Sequence, residues 1–240
     1  MAVQNSVLGF RASRNGLHFA NSWPHEPDPV VDLGRFGKVP LGEASNGLGG
    51  GMVYTVIDVF EAGLPPIPDV VNPPQGSPLF NYLLARLIDS FDIPAGITTY
   101  YQWMRLPDQD SRLWFFTRRG IAWRTVTQEW PRVRADIDRG WLSPLGLVTV
   151  HGADPAMLGH NHQVLAYGYE LDDANTLTLH LYDPNTPTAR ADDVQLSLDI
   201  SSPTRATPIK HNVNIDRQVR GFFRTNYRPA DPTRLQAPHA

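Results

Sequence analysis

The chain has 240 residues, of which 41% are hydrophobic and 19% charged, and its formal net charge is -3. This balance lacks the overall positive excess that marks proteins binding nucleic acid or an anionic membrane. The absence of cysteine excludes disulfides, thiolate metal sites and a cysteine nucleophile. No signal peptide is evident, and no apolar run reaches the ~18 residues that a membrane span needs. We therefore expect a soluble protein without membrane insertion, cytoplasmic by default.

The first half of the chain is predicted to be helical after a loop-rich segment, residues 1–45. The helix predicted over 50–62 has a broad apolar face and a narrow polar stripe, so we expect it to be largely buried. A proline-rich loop, "GLPPIPDVVNPPQG", follows it. Three more helices are predicted over 78–91, 96–106 and 127–140, and Gly140 is a typical stop for the last of them.

The second half of the chain has the composition of β-strands, rich in Val, Leu, Tyr and Phe. The predicted strands are "PLGLVTV", "HQVLAYGYEL", "TLTLHLYDP", "DVQLSLDI" and "RGFFRTNY". Helices followed by an antiparallel meander predict an α+β fold. We expect a single domain over residues 1–228, with a loop-rich segment (1–45), a helical part (46–140) and a sheet part (141–228), followed by a tail (229–240).

The glycine-rich stretch "GLGGGM", residues 47–52, opens the predicted buried helix. A P-loop requires Lys and Ser or Thr after its last glycine, but Met52 and Val53 stand there. A dinucleotide-binding fingerprint requires a small residue at position 52 and a following βαβ unit, and neither is present. The glycines therefore indicate either a tight turn into the helix or a site where a group approaches the backbone closely.

A second interpretation joins this helix start to two residues far downstream. A nucleophile at a helix N-terminus gains from the helix dipole and from free backbone N–H groups. His162 lies on a predicted strand, where it could accept a proton, and Asp183 at the end of the next strand could orient the imidazole. The structural alternatives are a histidine satisfied within the core and an aspartate in an Asp-Pro-Asn turn.

The segments "GLGGGM", "NHQVLAYGYE" and "LYDPNTP" together resemble the papain-like cysteine-peptidase superfamily. The closer likeness is to the bacteriocin-processing type and to a group of uncharacterised bacterial proteins related to it. The segments "FRASRNGLHFANSWP" and "GFFRTNYRP" also look like parts of that group. The resemblance implies a papain-like fold in which a buried nucleophile-type helix packs on a C-terminal antiparallel sheet.

Carried onto this sequence, the resemblance implies roles for four positions. His162 matches the catalytic base and Asp183 the orienting residue, with Asn185 as its alternate. The position of the nucleophile falls on Gly49, which has no side chain, so catalysis by the family mechanism is impossible here. The family's oxyanion glutamine is not evident, because Glu43 stands near its expected place.

The sequence therefore favours a catalytically disabled relative of a cysteine peptidase, a pseudoenzyme that retains its cleft. Consecutive N–H groups at Gly49, Gly50 and Gly51 favour an anion or a carbonyl oxygen, so we expect a peptide-like or carboxylate ligand or a protein partner. One alternative is an active hydrolase or transferase whose cysteine has been replaced by Gly49. The other is a structural or assembly protein with a vestigial cleft and an exposed aromatic patch.

Two further arrangements would give different chemistry. His160 and His162 lie on one face of a strand with His151 nearby, but the spacing specifies no third, carboxylate ligand for a metal. Ser45 precedes the glycines and would be a displaced nucleophile, although nothing in the sequence orients it. We predict no metal and no cofactor.

Overall fold

The computed structural model of the protein describes residues 2–23, 30–32, 38–40, 48–92, 95–152 and 154–236. Helices and an antiparallel sheet surround one hydrophobic core. The predicted α+β class is confirmed.

The helices lie mainly in the first part of the chain. Their bounds are α1 Ala12–Asn15, α2 Gly49–Glu61, α3 Pro78–Ser90, α4 Ala95–Met104, α5 Ile121–Arg124 and α6 Trp130–Asp138. The predicted helices over 50–62, 78–91 and 96–106 correspond to α2, α3 and α4. Ser77 caps α3 by accepting a hydrogen bond from the Phe80 N–H (3.2 Å), and Gly140 follows α6 with a φ of +80°, as its predicted role as a stop requires.

The strands form one large sheet and two small hairpins. Their bounds are β1 Val3–Ser6, β2 Val30–Asp32, β3 Lys38–Pro40, β4 Ser111–Leu113, β5 Phe116–Arg118, β6 Ser143–Val148, β7 His162–Leu171, β8 Thr176–Tyr182, β9 Gln195–Asp199, β10 Lys210–His211 and β11 Gly221–Arg224. The large sheet has the order β10-β9-β8-β7-β6-β11, and β1 also pairs with β7. Every pairing in this sheet is antiparallel. The first residues of a strand therefore lie beside the last residues of the strand that pairs with it.

Helix α2 is deeply buried. Its residues from Gly49 to Val59 are all buried, as its broad apolar face predicts. It packs against α3 on one side and against β7 on the other. The helix is therefore held within the core, and its first residue, Gly49, lies beside His162, the first residue of β7.

The far end of α2 carries a buried charge cluster, the Asp58 cluster, formed by Asp58, Arg86, Tyr82, Tyr227 and the backbone N–H of Ala230. The Asp58 carboxylate lies 2.7 Å from the Arg86 guanidinium and accepts hydrogen bonds from both tyrosine hydroxyls and from that N–H. Burial raises the pKa of Asp58, in spite of these partners, which oppose the rise. The cluster joins α2, α3 and the C-terminal segment around one carboxylate.

The structure differs from the sequence-based expectation at several places, among them β4, β5 and β10, which were not predicted. Residues 1–45 were predicted as loop, but β1 pairs with β7 and α1 follows it. The helix predicted over 127–140 begins earlier, because α5 continues into α6 through a π-helical turn, Thr125–Glu129. Within the described ranges, no helix has both the length and the hydropathy needed to cross a bilayer.

Candidate functional site

The antiparallel order of the sheet places His162 and Asp183 side by side. His162 is the first residue of β7, and Asp183 directly follows β8, which pairs with β7. The His162 Nε2 lies 2.7 Å from the Asp183 Oδ1. The two residues that the sequence singled out as base and orienting group are thus hydrogen-bonded to each other.

Asp183 is completely buried, and its carboxylate is fully hydrogen-bonded. Oδ1 also accepts the backbone N–H of Asn185 (2.9 Å), while Oδ2 accepts the Thr186 hydroxyl (2.7 Å) and the backbone N–H of Asn214 (2.8 Å). Burial by itself raises the pKa of Asp183, but the charge and hydrogen bond of His162, together with the backbone N–H groups, outweigh it and hold the pKa at about 2. Asp183 is therefore ionised at neutral pH and fixes the imidazole.

The ionised Asp183 also determines which ring nitrogen of His162 carries the hydrogen. An ionised carboxylate only accepts hydrogen bonds, so Nε2 must be the donor. In the neutral imidazole, Nδ1 then keeps its lone pair, and no group in the described part of the chain hydrogen-bonds to it. This nitrogen is available to a ligand or to a side chain at the neighbouring position.

That neighbouring position is Gly49, the first residue of α2. A Cβ atom built on Gly49 would lie 3.8 Å from the His162 Cε1 and 3.4 Å from the Asn21 Nδ2, which are ordinary contact distances. The two following glycines have no room for a Cβ atom. A Cβ on Gly50 would lie 2.2 Å from the Ser90 Oγ, and one on Gly51 would lie 2.1 Å from the backbone carbonyl oxygen of Leu83. Close packing of α2 therefore accounts for Gly50 and Gly51 but not for Gly49.

Alanine substitutions along the triplet test this difference. We expect Gly49→Ala to be neutral or to stabilise the protein by up to about 1 kcal/mol, because a helical glycine gains from a Cβ that meets no obstacle. Gly50→Ala and Gly51→Ala should each destabilise it by about 1–3 kcal/mol or more through overpacking. Gly51→Ala should cost the most, because its obstacle is a backbone atom. The measurement is the free energy of unfolding in urea, and equal losses at all three positions would contradict the assignment.

Asn21 supplies a second polar group beside Gly49. It is buried, and its Nδ2 donates to the Asn185 Oδ1 (2.9 Å), while its Oδ1 has no partner within the described residues. The Asn72 side chain holds this loop by donating to the backbone carbonyls of Ala20 and Ser22 on either side of Asn21. A buried amide oxygen without a partner is costly, so a hydrogen-bond donor placed beside this atom would stabilise the site.

Two cavities meet at this site. One, of about 490 Å³, lies along the loop that carries Asn21, and the other, of about 440 Å³, lies beside His162. Asn185 and Asn214 line both of them. The two cavities are therefore neighbours, and His162 lines the second of them.

The remaining residues named from the sequence lie in different places. Asn185 contacts Asp183 through its N–H and Asn21 through its side chain. His160 ends a short 3-10 helix, and no three potential metal ligands converge anywhere in the described ranges. Ser45 and Glu43 lie outside the described residues.

Sequence reasoning missed Asn21 and Asn214. Asn21 belongs to "HFANSWP", a segment already similar to the uncharacterised bacterial group, but no local pattern connects a loop amide to a helix 28 positions later. Asn214 donates its backbone N–H to Asp183 and its side-chain amide to the carbonyl of Asn185 (2.6 Å), and no sequence pattern links it to either residue. No protein-family model matches the chain, and no curated protein or solved structure is significantly similar to it. The functional argument therefore depends on the geometry of the site.

Proposed function

We propose that the protein is a catalytically disabled, papain-like relative of the cysteine peptidases that binds a peptide-like or carboxylate ligand in its cleft. The observation that carries this proposal is the arrangement at Gly49. A hydrogen-bonded His162 and Asp183 lie beside the one glycine of the triplet where a side chain fits. A base and its orienting group remain, while the group that they would activate is absent.

The absence of a side chain at Gly49 favours binding over catalysis. Nucleophilic catalysis of the cysteine-peptidase kind needs a thiolate, and the chain has no cysteine. Among the described residues, the Nδ1 of His162 has no hydrogen-bond partner, so it can exchange hydrogen bonds with a bound molecule. The pair is thus suited to recognition rather than to covalent chemistry.

The chemistry of the cleft favours a ligand that both donates and accepts hydrogen bonds. The first N–H groups of α2 have no acceptor within the helix, and the helix dipole makes them suited to a carbonyl or carboxylate oxygen. The unpartnered Asn21 Oδ1 requires a donor. A peptide group offers both functions within one short unit, and the two cavities leave room for the chain on either side of it.

Binding of acetyl-tetraalanine tests the proposal. We expect millimolar or tighter binding, with changes in the NMR shifts of the Gly49 N–H, the Asn21 side-chain amide and the His162 ring. The peptide should stay intact, as checked by mass spectrometry. The same peptide with an amidated C-terminus separates recognition of the peptide group from recognition of the carboxylate.

Gly49→Leu and Gly49→Ala form a matched pair of variants for this experiment. The leucine side chain should occupy the space beside His162 and abolish binding, whereas the small alanine should leave binding largely intact. Shifts spread over the surface, or binding that survives Gly49→Leu unchanged, would place the ligand elsewhere and defeat the proposal.

The second candidate is an active papain-like hydrolase or transferase in which a cysteine has been replaced by Gly49. The same observation favours it, since the space at Gly49 suits a thiol, as does the His162 Nδ1, which has no partner within the described ranges. Comparison of position 49 with the native gene distinguishes a natural glycine from a replacement.

A further inference from the structure

The hairpin formed by β4 and β5 exposes three consecutive aromatic side chains. Trp114, Phe115 and Phe116 are 86%, 93% and 78% exposed. The hairpin is a separate two-stranded sheet, and its second strand is exposed along its whole length. Large aromatic groups in water carry a free-energy cost that burial would remove, so this cluster marks an interaction surface.

The tip of the hairpin holds its tryptophan in an unfavourable backbone conformation. Trp114 has a φ of +55°, a region that residues other than glycine, asparagine and aspartate seldom occupy. A smaller residue would form the turn at lower cost. Such an outlier motivates a functional reason for the side chain at that position.

The base of the hairpin is well fixed. The Asp110 carboxylate accepts the Gly120 N–H (2.8 Å) and pairs with Arg119 (2.6 Å), and the Asp110 N–H donates to the carbonyl of Thr204 (3.0 Å). The aromatic tip therefore projects from an ordered support.

Positive charge surrounds the aromatic tip. Register places Arg112 opposite Thr117 and Arg118 opposite Ser111, so the two arginines lie on opposite faces of the hairpin. Arg112 is one residue pair behind the pair nearest the tip and Arg118 is two, and the Arg118 guanidinium donates to the carbonyl of Arg105 (2.8 Å). Both are exposed, and neither forms an ion pair with a carboxylate of the described residues. The nearest acids in the sequence are already engaged, Asp108 with Arg220 and Asp110 with Arg119.

We infer that this hairpin is a docking element for an anionic lipid surface, contacting the interface without spanning the bilayer. Aromatic side chains partition into the boundary between headgroups and acyl chains, and arginines one and two residue pairs behind the tip would meet lipid phosphates. The narrow, projecting tip favours a penetrable surface over a protein, because a stable protein interface needs about 800 Å² of fitted area on each partner. This inference is independent of the function proposed for the cleft.

Sedimentation with vesicles tests the inference. We expect the protein to bind phosphatidylcholine vesicles that contain roughly 30% phosphatidylserine and to bind pure phosphatidylcholine much more weakly. The double variant Trp114→Ser/Phe115→Ser should weaken binding at least about tenfold. Arg112→Ser/Arg118→Ser should weaken it by roughly fivefold for each arginine lost.

Matched variants elsewhere on the surface provide the controls. Trp141→Ser removes an aromatic side chain that is 51% exposed, and Arg205→Ser/Lys210→Ser removes two exposed cations. Both should leave vesicle binding unchanged, and circular dichroism should report a native fold for every variant. Three results would each overturn the inference: no sedimentation with either vesicle, equal binding to both, or lipid-free self-association that disappears in Trp114→Ser/Phe115→Ser.

Discussion

Gly49→Cys should create a thiol that reacts with iodoacetamide at a pH where ordinary cysteines do not. The new side chain would start beside His162 and at the N-terminus of α2, and both a protonated imidazole and a helix N-terminus lower a thiol pKa from about 8.5 to between about 3.5 and 7.5. A thiolate of low pKa is intrinsically less nucleophilic, so the gain at pH 7 is small. At about pH 5.5 the larger thiolate fraction dominates, and we expect alkylation about tenfold faster than for an exposed cysteine.

The absence of any native cysteine makes this a single-thiol experiment. Ser202→Cys, in an exposed loop, supplies the reference rate and an ordinary pH profile. Adding His162→Gln to Gly49→Cys should move the midpoint of the profile back toward that reference. If Gly49→Cys titrates like Ser202→Cys, the site assignment fails and with it the relationship proposed between this protein and the peptidases.

Arg86→Met should destabilise the protein by about 3–5 kcal/mol, the largest stability effect that we expect from a single substitution. The side chains of Arg86 and Asp58 are 3% and 0% exposed, so the change leaves a buried carboxylate without its cation. Arg86 also donates to the backbone carbonyl of Arg228 (2.7 Å), and this contact with the C-terminal segment would be lost as well. Urea denaturation at neutral pH measures the difference.

The control for this effect is an exposed ion pair of the same chemistry. Arg134 lies 3.4 Å from Asp138, with both side chains more than 40% exposed, and Arg134→Met should cost under about 1 kcal/mol. Comparable losses for the two variants would show that the Asp58 cluster contributes no more than a surface pair.

Sequence patterns predicted the fold best where an element is long and mostly apolar. Strand β7 has the predicted bounds, because its apolar residues are continuous and turn residues flank it. Strand β1 was missed because all four of its residues are exposed and it shows no apolar alternation. The π-helical turn before α6 was missed for a local reason. Pro131 has no N–H to donate to Thr127, and the Trp130 N–H instead reaches the carbonyl of Thr125.

The site was partly predictable for a similar reason. His162 and Asp183 lie at the ends of two consecutive strands, and antiparallel pairing brings such ends together, so their proximity follows from a pattern that the sequence displays. The difference in room for a Cβ between Gly49 and the other two glycines, Gly50 and Gly51, does not follow from any pattern in the sequence. This difference depends on where α3, including its last residue Ser90, packs against α2. That packing is set by contacts between residues tens of positions apart in the sequence.

The way in which α2 is held at both ends has a consequence for recognition. Its first turn lies against α3 and β7 with no room for a Cβ at Gly51, and its last turn is fixed by the Asp58 cluster. The conformational entropy of ordering this helix is therefore lost during folding and not when a ligand arrives. The first N–H groups of α2 are thus preorganised, and the peptide binding that we propose would require no rearrangement of this helix.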